Sequence, residues 1–215
     1  MANVDYILKF SEQFCKIARH FDLKEFSSLP TGIENGRLSP QRHAMLSRLP
    51  ISGIGGSRNT YILNSKKALK VAKNIRGLEG NEIEFNNLKK YDSVWLPKVF
   101  DRAEDYSWIE VEKVQPLKNF YEIDDLIKIN HNIFLALLLE RDYTLSFNDA
   151  IASAITDSNA DNFEYTKYID NPYLKELDKL IDEMNLDQVE FRDIENLGKS
   201  ASDHLVLLDV GELKE

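Results

Sequence analysis

The segment that most constrains the fold is GIGGSRNTYIL, which runs from Gly53 to Leu63. Three glycines within four residues mark a tight turn, because glycine adopts backbone conformations that other residues avoid. Two alternating apolar segments follow, NTYILN and KALKVAKN, separated by Ser65-Lys66, and this pattern predicts a β-hairpin. Lys70 stands in the middle of the second predicted strand. The glycines therefore form either an ordinary turn or a backbone loop that covers a phosphate.

Bulk properties exclude several classes of partner. The chain has 215 residues and a formal net charge of -9, the opposite of the balance expected for a nucleic-acid or anionic-membrane binder. Its single cysteine, Cys15, excludes an internal disulfide. The N-terminus lacks the features of a secretion signal, and the most apolar window, IFLALLLE, is too short to span a bilayer. We expect a cytoplasmic protein with no nucleic-acid or membrane partner.

Residues 1–50 are predicted to form an N-terminal helical appendage. A first helix is expected over residues 3–22, and a second over Arg42–Leu49, where Pro50 ends it. We expect the apolar stripe of this appendage to pack on the helical half of the chain or on another protein chain. The stripe consists of Val4, Ile7, Leu8, Phe10, Phe14, Ile17, Ala18 and Phe21.

Residues 51–115 are predicted to form a strand-rich lobe, and residues 116–215 are predicted to form a helical lobe. After the hairpin comes a mainly helical segment with Ile83, Phe85, Leu88 and Tyr91, and then two strands around an acidic turn at 104–105. Helices are predicted over 125–143, in SFNDAIASAIT and in NPYLKELDKLIDEMN. A short strand, a turn and a second strand precede Asp209-Val210-Gly211. The chain is therefore predicted to be α+β with two lobes, and a ligand is expected in the cleft between them.

The order of these features resembles that of the protein-kinase-like superfamily. A glycine loop, a lysine on the third strand, a glutamate on the next helix, a linker after the fifth strand, and an Asp-x-Gly follow one another as in kinases. The runs GGSRNTYIL, LKVAKN and GNEIE are similar to those of small divergent serine/threonine kinases encoded by bacteriophages. The resemblance covers residues 51–212 and is strongest over 53–84. It implies a bilobal kinase-like fold whose helical lobe is truncated.

The resemblance also implies which residues bind ATP. Lys70 would orient the phosphates, and Glu82 would hold Lys70, with Glu84 as the alternative. Glu112 and Val114 in WIEVEKV would offer backbone groups to the adenine edge. The glycine loop would cover the phosphates through Gly53, Gly55, Gly56, Ser57 and Arg58.

The resemblance implies two metal ligands but leaves the catalytic base open. Asn196 and Asp209 match the positions that bind Mg²⁺ in kinases, and Gly211 completes Asp-x-Gly. The position five residues before Asn196, where kinases carry the base, is Phe191, which accepts no proton. Either the loop is shortened and Asp193 is the base, or no base exists. The sequence also stops at Glu215, before the segments that hold a peptide substrate in typical kinases.

Two functions are consistent with this pattern. The first is a minimal phosphotransferase that uses ATP and Mg²⁺. The second is a pseudokinase, an inactive kinase-shaped module that binds another protein through residues 1–50 or forms part of a virus particle. A cytoplasmic location, in the host cell if the chain is phage-encoded, or a place in the virion follows from these readings. The retained lysine and carboxylates favour the first, and the missing base favours the second.

Overall fold

The computed structural model describes residues 21–33, 38–142, 146–157, 165–186 and 190–208. Within these residues the chain divides into two compact units. The first unit holds the described residues up to Phe85 together with Val99–Lys113, and the second holds Asn86–Lys98 together with the described residues from Val114 onward. Residues 86–98 therefore group with the second unit although they precede two strands of the first.

The first unit is built on a five-stranded antiparallel sheet. The strands lie in the order β1-β2-β3-β5-β4, so the strand that carries Lys70 is central. This confirms the strands predicted on both sides of the helical segment. Their bounds are β1 Ile51–Ile54, β2 Arg58–Ile62, β3 Lys67–Ala72, β4 Val99–Arg102 and β5 Trp108–Glu112.

Both predicted turns after the glycine loop are confirmed. Between β2 and β3, the side-chain oxygen of Asn64 accepts hydrogen bonds of 2.9 Å from the backbone N–H groups of Lys66 and Lys67. Between β4 and β5, the Asp105 carboxylate accepts the N–H of Ser107 at 3.0 Å, and Tyr106 has a φ of 53°. Short polar side chains thus close each turn by binding backbone groups two or three residues further on.

Two short helices, α1 (Leu23–Ser28) and α2 (Pro40–Leu46), pack on one face of this sheet. The second begins two residues before the predicted start, because the Ser39 hydroxyl accepts the N–H of Arg42 and Pro40 occupies the first turn. Together with the strands they form one buried core: Phe26, Leu46, Leu49, Tyr61, Leu63, Leu69, Val71, Ala103 and Trp108.

Arg42 fastens these helices to the sheet. It is 1% exposed, and its guanidinium donates to the Ser107 hydroxyl at 2.7 Å and to the Leu29 carbonyl at 3.1 Å. A buried cation is tolerated only when it is hydrogen-bonded, and these bonds fix its place. The described part of the N-terminal segment thus packs on the strand-rich unit. The packing expected for the apolar stripe of the first predicted helix stays a prediction. Residues 1–20, with most of the predicted first helix, lie outside the described residues.

A longer helix, α3 (Ile75–Lys90), follows β3 and confirms the predicted helical segment. Side chains alternate across a strand. Leu69 and Val71 face the core with α1 and α2, so Lys70 faces the opposite side of the sheet. There it meets Glu84 of α3.

The second unit combines a small antiparallel sheet with five described helices. The sheet has the order β6-β7-β8, with bounds Gln115–Pro116, Leu197–Lys199 and Leu205–Leu207. The helices are α4 Tyr121–Ile127, α5 His131–Asp142, α6 Phe147–Asp157, α7 Tyr165–Ile169 and α8 Pro172–Met184. Two 3₁₀ turns, Glu190–Arg192 and Ile194–Asn196, precede β7.

Trp95 organises the core of the second unit. Its ring is buried and stacks on Phe134 at 5.8 Å, and its indole N–H donates to the Tyr173 carbonyl at 2.7 Å. Its own carbonyl accepts the N–H of Leu207 at 2.8 Å. The segment that precedes β4 is therefore joined to α5, α8 and β8 of this unit.

The helical predictions are confirmed for α8 and corrected for α4 and α5. The predicted stripe of α8 is buried, and the Asn171 side chain caps its first turn. The single helix predicted over 125–143 is instead two, because Lys128 adopts a left-handed φ of 59° and ends α4. The stripe residues of α8 are Leu174, Leu177, Leu180, Ile181 and Met184.

The α+β class is confirmed, with a glycine turn, a lysine on the third strand and a helix before the fourth strand in the predicted order. Among the described residues, no helix combines the length and the apolar character that a bilayer span requires.

Candidate functional site

The glycine-rich segment forms the turn of the β1–β2 hairpin. The N–H of Gly55 donates to the carbonyl of Arg58 at 2.9 Å, and Gly53 pairs with Thr60. The ammonium of Lys73 donates to the carbonyl of Gly55 at 2.6 Å and so ties the turn to the end of β3. The glycines are thus confirmed as a turn, whereas their expected covering of phosphates stays a prediction.

Local packing does not require glycine throughout this turn. A Cβ atom added to Gly56 would meet no heavy atom within 4 Å, and one added to Gly53 would meet only the Thr60 side chain at 3.7 Å. Only at Gly55 would a Cβ be tight, 3.0 Å from the Arg58 carbonyl. At Gly53 and Gly56, therefore, the space that a side chain would occupy is largely empty.

Lys70 is held by a buried carboxylate. Its ammonium lies 2.5 Å from Oε1 of Glu84, whose side chain is fully buried, while the lysine side chain is 16% exposed. The expected partner, Glu82, is exposed on α3. The choice of Glu82 is therefore corrected to Glu84. Positions two apart on a helix differ by about 200° around its axis, so only one of the two can face β3.

Arg58 binds the other oxygen of the same carboxylate. Its guanidinium contacts Oε2 of Glu84. Arg58 pairs with Ala72 across the β2–β3 ladder, and Lys70 precedes Ala72 by two residues, so Arg58 and Lys70 are diagonal neighbours on one face. The sheet register thus brings both cations to Glu84. The prediction that Arg58 touches phosphate remains untested.

The two cations determine the charge of Glu84. Burial by itself raises the pKa of this carboxyl, but Lys70 and then Arg58 lower it through their charges and hydrogen bonds. The net pKa of Glu84 lies below its ordinary value. Glu84 is therefore ionised near neutral pH and can hold Lys70 as a fixed cation.

Two glycines of α3 face this cluster, and the sequence analysis did not single them out. A Cβ atom on Gly77 would overlap the carbonyl oxygen of Ser57 and lie 3.1 Å from Ala72. Gly80 faces the Arg58 guanidinium, with 3.6 Å from its Cβ position to the nearest atoms. The signal was the pair of helix-weakening glycines in RGLEGNE, which indicates close approach of a neighbouring backbone.

The predicted adenine-binding positions follow β5. Glu112 is the last residue of β5 and pairs with Lys67, and the next residue, Lys113, donates its N–H to the Lys66 carbonyl at 2.8 Å. Val114 belongs to the second unit, where its side chain packs against Gly198. That these residues bind adenine stays a prediction.

The predicted base and metal ligands lie in the second unit or outside the described residues. Asp193 is exposed, and its carboxylate caps the second 3₁₀ turn by accepting the N–H of Glu195 at 3.1 Å. Asn196 ends that turn, and its carbonyl accepts the N–H of Leu208 at 2.8 Å. Asp209 and Gly211 lie outside the described residues. Among the residues that the structure describes, no group of three or more His, Cys, Asp or Glu side chains could hold a metal ion.

Comparisons with known proteins do not assign this chain to a family. No family model matches the sequence, and no curated protein does. A solved structure that is similar is the streptomycin–ATP–APH(2″)-IIa ternary complex, with 14% identity, a TM-score of 0.39, and coverage of 81% of this chain and 71% of that chain. Similarity of this extent carries no assignment of activity, which must be inferred from the residues of this chain.

Proposed function

We propose that this chain binds ATP with Mg²⁺ through its strand-rich unit and acts as a minimal phosphotransferase. The observation that carries the proposal is the pairing of Lys70 with the fully buried Glu84 on the face of β3 away from the α1–α2 core. Burying a carboxylate is costly unless cations meet it. A fold that needed only stability would be served at least as well by apolar residues there. A lysine fixed in this way suits the neutralisation of phosphates.

The glycine turn supports the same ligand. Gly56 has open space around its Cβ position, and Gly53 has little beyond one side chain. Backbone without side chains lets N–H groups approach a phosphate closely. We assign Gly53, Gly55, Gly56 and Ser57 to the phosphates, and the backbone of Glu112 and Val114 to the adenine edge.

Metal binding and proton transfer fall to the second unit in this proposal. Asn196 and Asp209 would hold Mg²⁺, whose charge neutralises the transferred phosphoryl group. Asp193 would accept the proton of the acceptor hydroxyl. Its exposure suits that role, while its hydrogen bond to Glu195 fixes one of its oxygens.

A second candidate is a kinase-shaped protein that binds nucleotide or a partner protein without turnover, including a role in a phage particle. The position of Phe191 favours it, because this residue stands five before Asn196 and its side chain is 2% exposed. A buried aromatic ring cannot act as a base. Measured turnover separates the two candidates.

Nucleotide binding is tested by thermal unfolding with Mg-ATP. A ligand that binds only the native state raises stability by about 2.7 kcal/mol at a hundredfold excess over Kd. For a chain of this length we expect a rise in Tm of roughly 5–10 °C. Lys70→Met should abolish most of the rise. Lys66→Met is the matched control, because Lys66 is exposed in the β2–β3 turn.

Turnover is tested by Mg²⁺-dependent conversion of ATP to ADP, because ADP forms whether the phosphoryl group passes to an acceptor hydroxyl or to water. If the chain is a phosphotransferase, Asp193→Asn should reduce turnover and leave the Mg-ATP shift in Tm in place, while the exposed neighbour Glu195→Gln should change neither. Binding without turnover in the wild type would support the second candidate. Absence of any Mg-ATP shift in the wild type would overturn both nucleotide proposals.

A further inference from the structure

Both carboxylate oxygens of Glu84 contact a cation. Oε1 meets Lys70, and Oε2 meets Arg58, the first residue of β2 after the glycine turn. We infer that Arg58 is a positioning residue, which fixes the carboxylate of Glu84 so that this carboxylate places the Lys70 ammonium. The inference rests on the proposed function for its purpose, since Lys70 would orient phosphates. The placement itself is a property of the unliganded protein and can be tested alone.

The structure is built to admit Arg58. Ala72, its partner across the ladder, is the smallest side chain that β3 could offer at that point, and it is fully buried. On α3, Gly80 leaves the guanidinium carbon 3.6 Å from where a Cβ would stand. Glu84 follows Gly80 by four residues, one helical turn on the same face. The guanidinium therefore lies against Gly80 and reaches Glu84.

Arginine and lysine constrain a carboxylate differently. The lysine ammonium is a compact charge on a flexible stem, and it sets no plane for its partner. The guanidinium is planar and rigid, so its Nη1–H points in a fixed direction, and the contact of Nη1 with Oε2 restricts the rotation of the carboxylate. With Oε2 held, Oε1 has a defined place, and Lys70 meets it at 2.5 Å. Arg58 thus acts on Lys70 through Glu84.

Loss of Arg58 has a defined consequence. Oε2 of Glu84 would lose a charge-assisted hydrogen bond inside a fully buried side chain. The carboxylate would then turn toward the remaining cation, and the Lys70 ammonium would take more than one position. Misplacement of a binding group by about 1 Å costs up to a hundredfold in rate.

The test compares Arg58→Gln, Arg58→Lys and Arg48→Gln. Arg48 is exposed beyond α2 and serves as the control. The first readout is the side-chain ¹⁵N resonance of Lys70 in the protein without nucleotide. We expect it to shift and broaden in Arg58→Gln, to recover partly in Arg58→Lys, which restores the charge without the planar guanidinium, and to stay unchanged in Arg48→Gln. The second readout is the Kd for Mg-ATP, expected to rise roughly tenfold to a hundredfold in Arg58→Gln.

The two readouts separate the inference from the proposed function. An unchanged Lys70 resonance in Arg58→Gln overturns the positioning role, whether or not the protein binds nucleotide. A shifted Lys70 resonance in Arg58→Gln, together with a wild type that binds no Mg-ATP, overturns the proposed function and leaves the placement of Lys70 by Arg58 standing. If Arg58→Gln fails to fold, Arg58→Lys carries the test, and wild-type values of both resonance and Kd in that variant overturn the role assigned to the planar guanidinium.

Discussion

Glu84 in the first unit is fully buried and Asp178 in the second is 23% exposed. Both carboxylates meet an arginine, but their pKa values move in opposite directions. Glu84 lies between two cations, Lys70 and Arg58, which lower its pKa despite complete burial. Asp178 meets one cation, Arg141 of α5, at 2.7 Å. Its pKa is raised, first by burial and further by Asp182, although Arg141 acts against the rise.

The ratio of charges explains the difference. Around Glu84, one carboxylate binds two cations, whereas around Arg141, one cation binds two carboxylates, Asp178 and Asp182, which stand one turn apart on α8. Burial penalises any lone charge, and only a sufficient surplus of the opposite sign reverses the shift. The pair of cations around Glu84 therefore keeps this carboxylate ionised, as the role proposed for Lys70 requires.

The largest expected effect follows from neutralising Glu84. Glu84→Gln leaves Lys70 and Arg58 mostly buried without their shared anion, and removing one partner of a buried pair costs about 3 kcal/mol. Urea unfolding at pH 7 measures the loss. The control is Glu82→Gln, an exposed position on the same helix, which should change stability by less than about 0.5 kcal/mol. Equal effects at the two positions would show that the buried cluster does not stabilise the unit.

Acidity should abolish most of that difference. The folded pKa of Glu84 is below its ordinary value of 4.5. Its stabilising contribution is therefore complete above about pH 4.5 and is lost as the pH falls through the lower folded pKa. The deficit of Glu84→Gln against the wild type should be constant from pH 7 to about pH 5 and shrink below it. A deficit that grows on acidification would contradict the lowered pKa.

The glycines of α3 give a matched pair of intermediate size. Gly77→Ala forces a Cβ into the backbone carbonyl of Ser57, and overpacking of this kind costs about 1–3 kcal/mol. Gly80→Ala meets Arg58 only at ordinary contact distance, so the gain in helix propensity, up to about 1 kcal/mol, should prevail. Thermal unfolding of both variants decides the point. Stabilisation by Gly77→Ala would mean that α3 does not approach the hairpin so closely.

Local patterns predicted much of the first unit. Alternating apolar residues and turn residues located the strands on both sides of Ser65-Lys66, and the central lysine of KALKVAKN predicted Lys70 on β3. The choice between the two glutamates failed because it followed the resemblance of GNEIE to kinase sequences, and Glu82 lies on the exposed side of α3. The buried face of α3 instead runs through Gly77, Asn81, Glu84 and Leu88.

The contact of Arg58 with Glu84 was beyond local patterns. These residues are 26 positions apart in the chain, and their meeting depends on the β2–β3 register and on the close approach of α3 to β2 and β3 at Gly77. The burial of Arg42 is similar, since its partner Ser107 is 65 positions away. Residues whose roles depend on tertiary register leave no periodic signal. The helical unit was less predictable where a single residue, Lys128, interrupts an apolar run.

The smallest expected effect comes from the second cluster and sharpens the contrast. Asp178→Asn removes a charge that burial already disfavours, while Arg141 keeps Asp182, 2.7 Å from its guanidinium. Replacing such a carboxylate by its neutral isostere should change stability at pH 7 by less than about 1 kcal/mol.

Because the folded pKa of Asp178 is raised above 3.8, its stabilising contribution is present below that value and lost as the pH rises through the folded pKa. The stability of Asp178→Asn relative to the wild type should therefore be highest near neutral pH and fall on acidification. This is the reverse of Glu84→Gln, whose stability deficit should shrink on acidification. Asp182→Asn, which removes the neighbouring like charge, should lower the pKa of Asp178 as followed by its carboxyl ¹³C resonance. A loss of several kcal/mol in Asp178→Asn would show that the two clusters stabilise their units alike, and the contrast in charge ratio would then not matter.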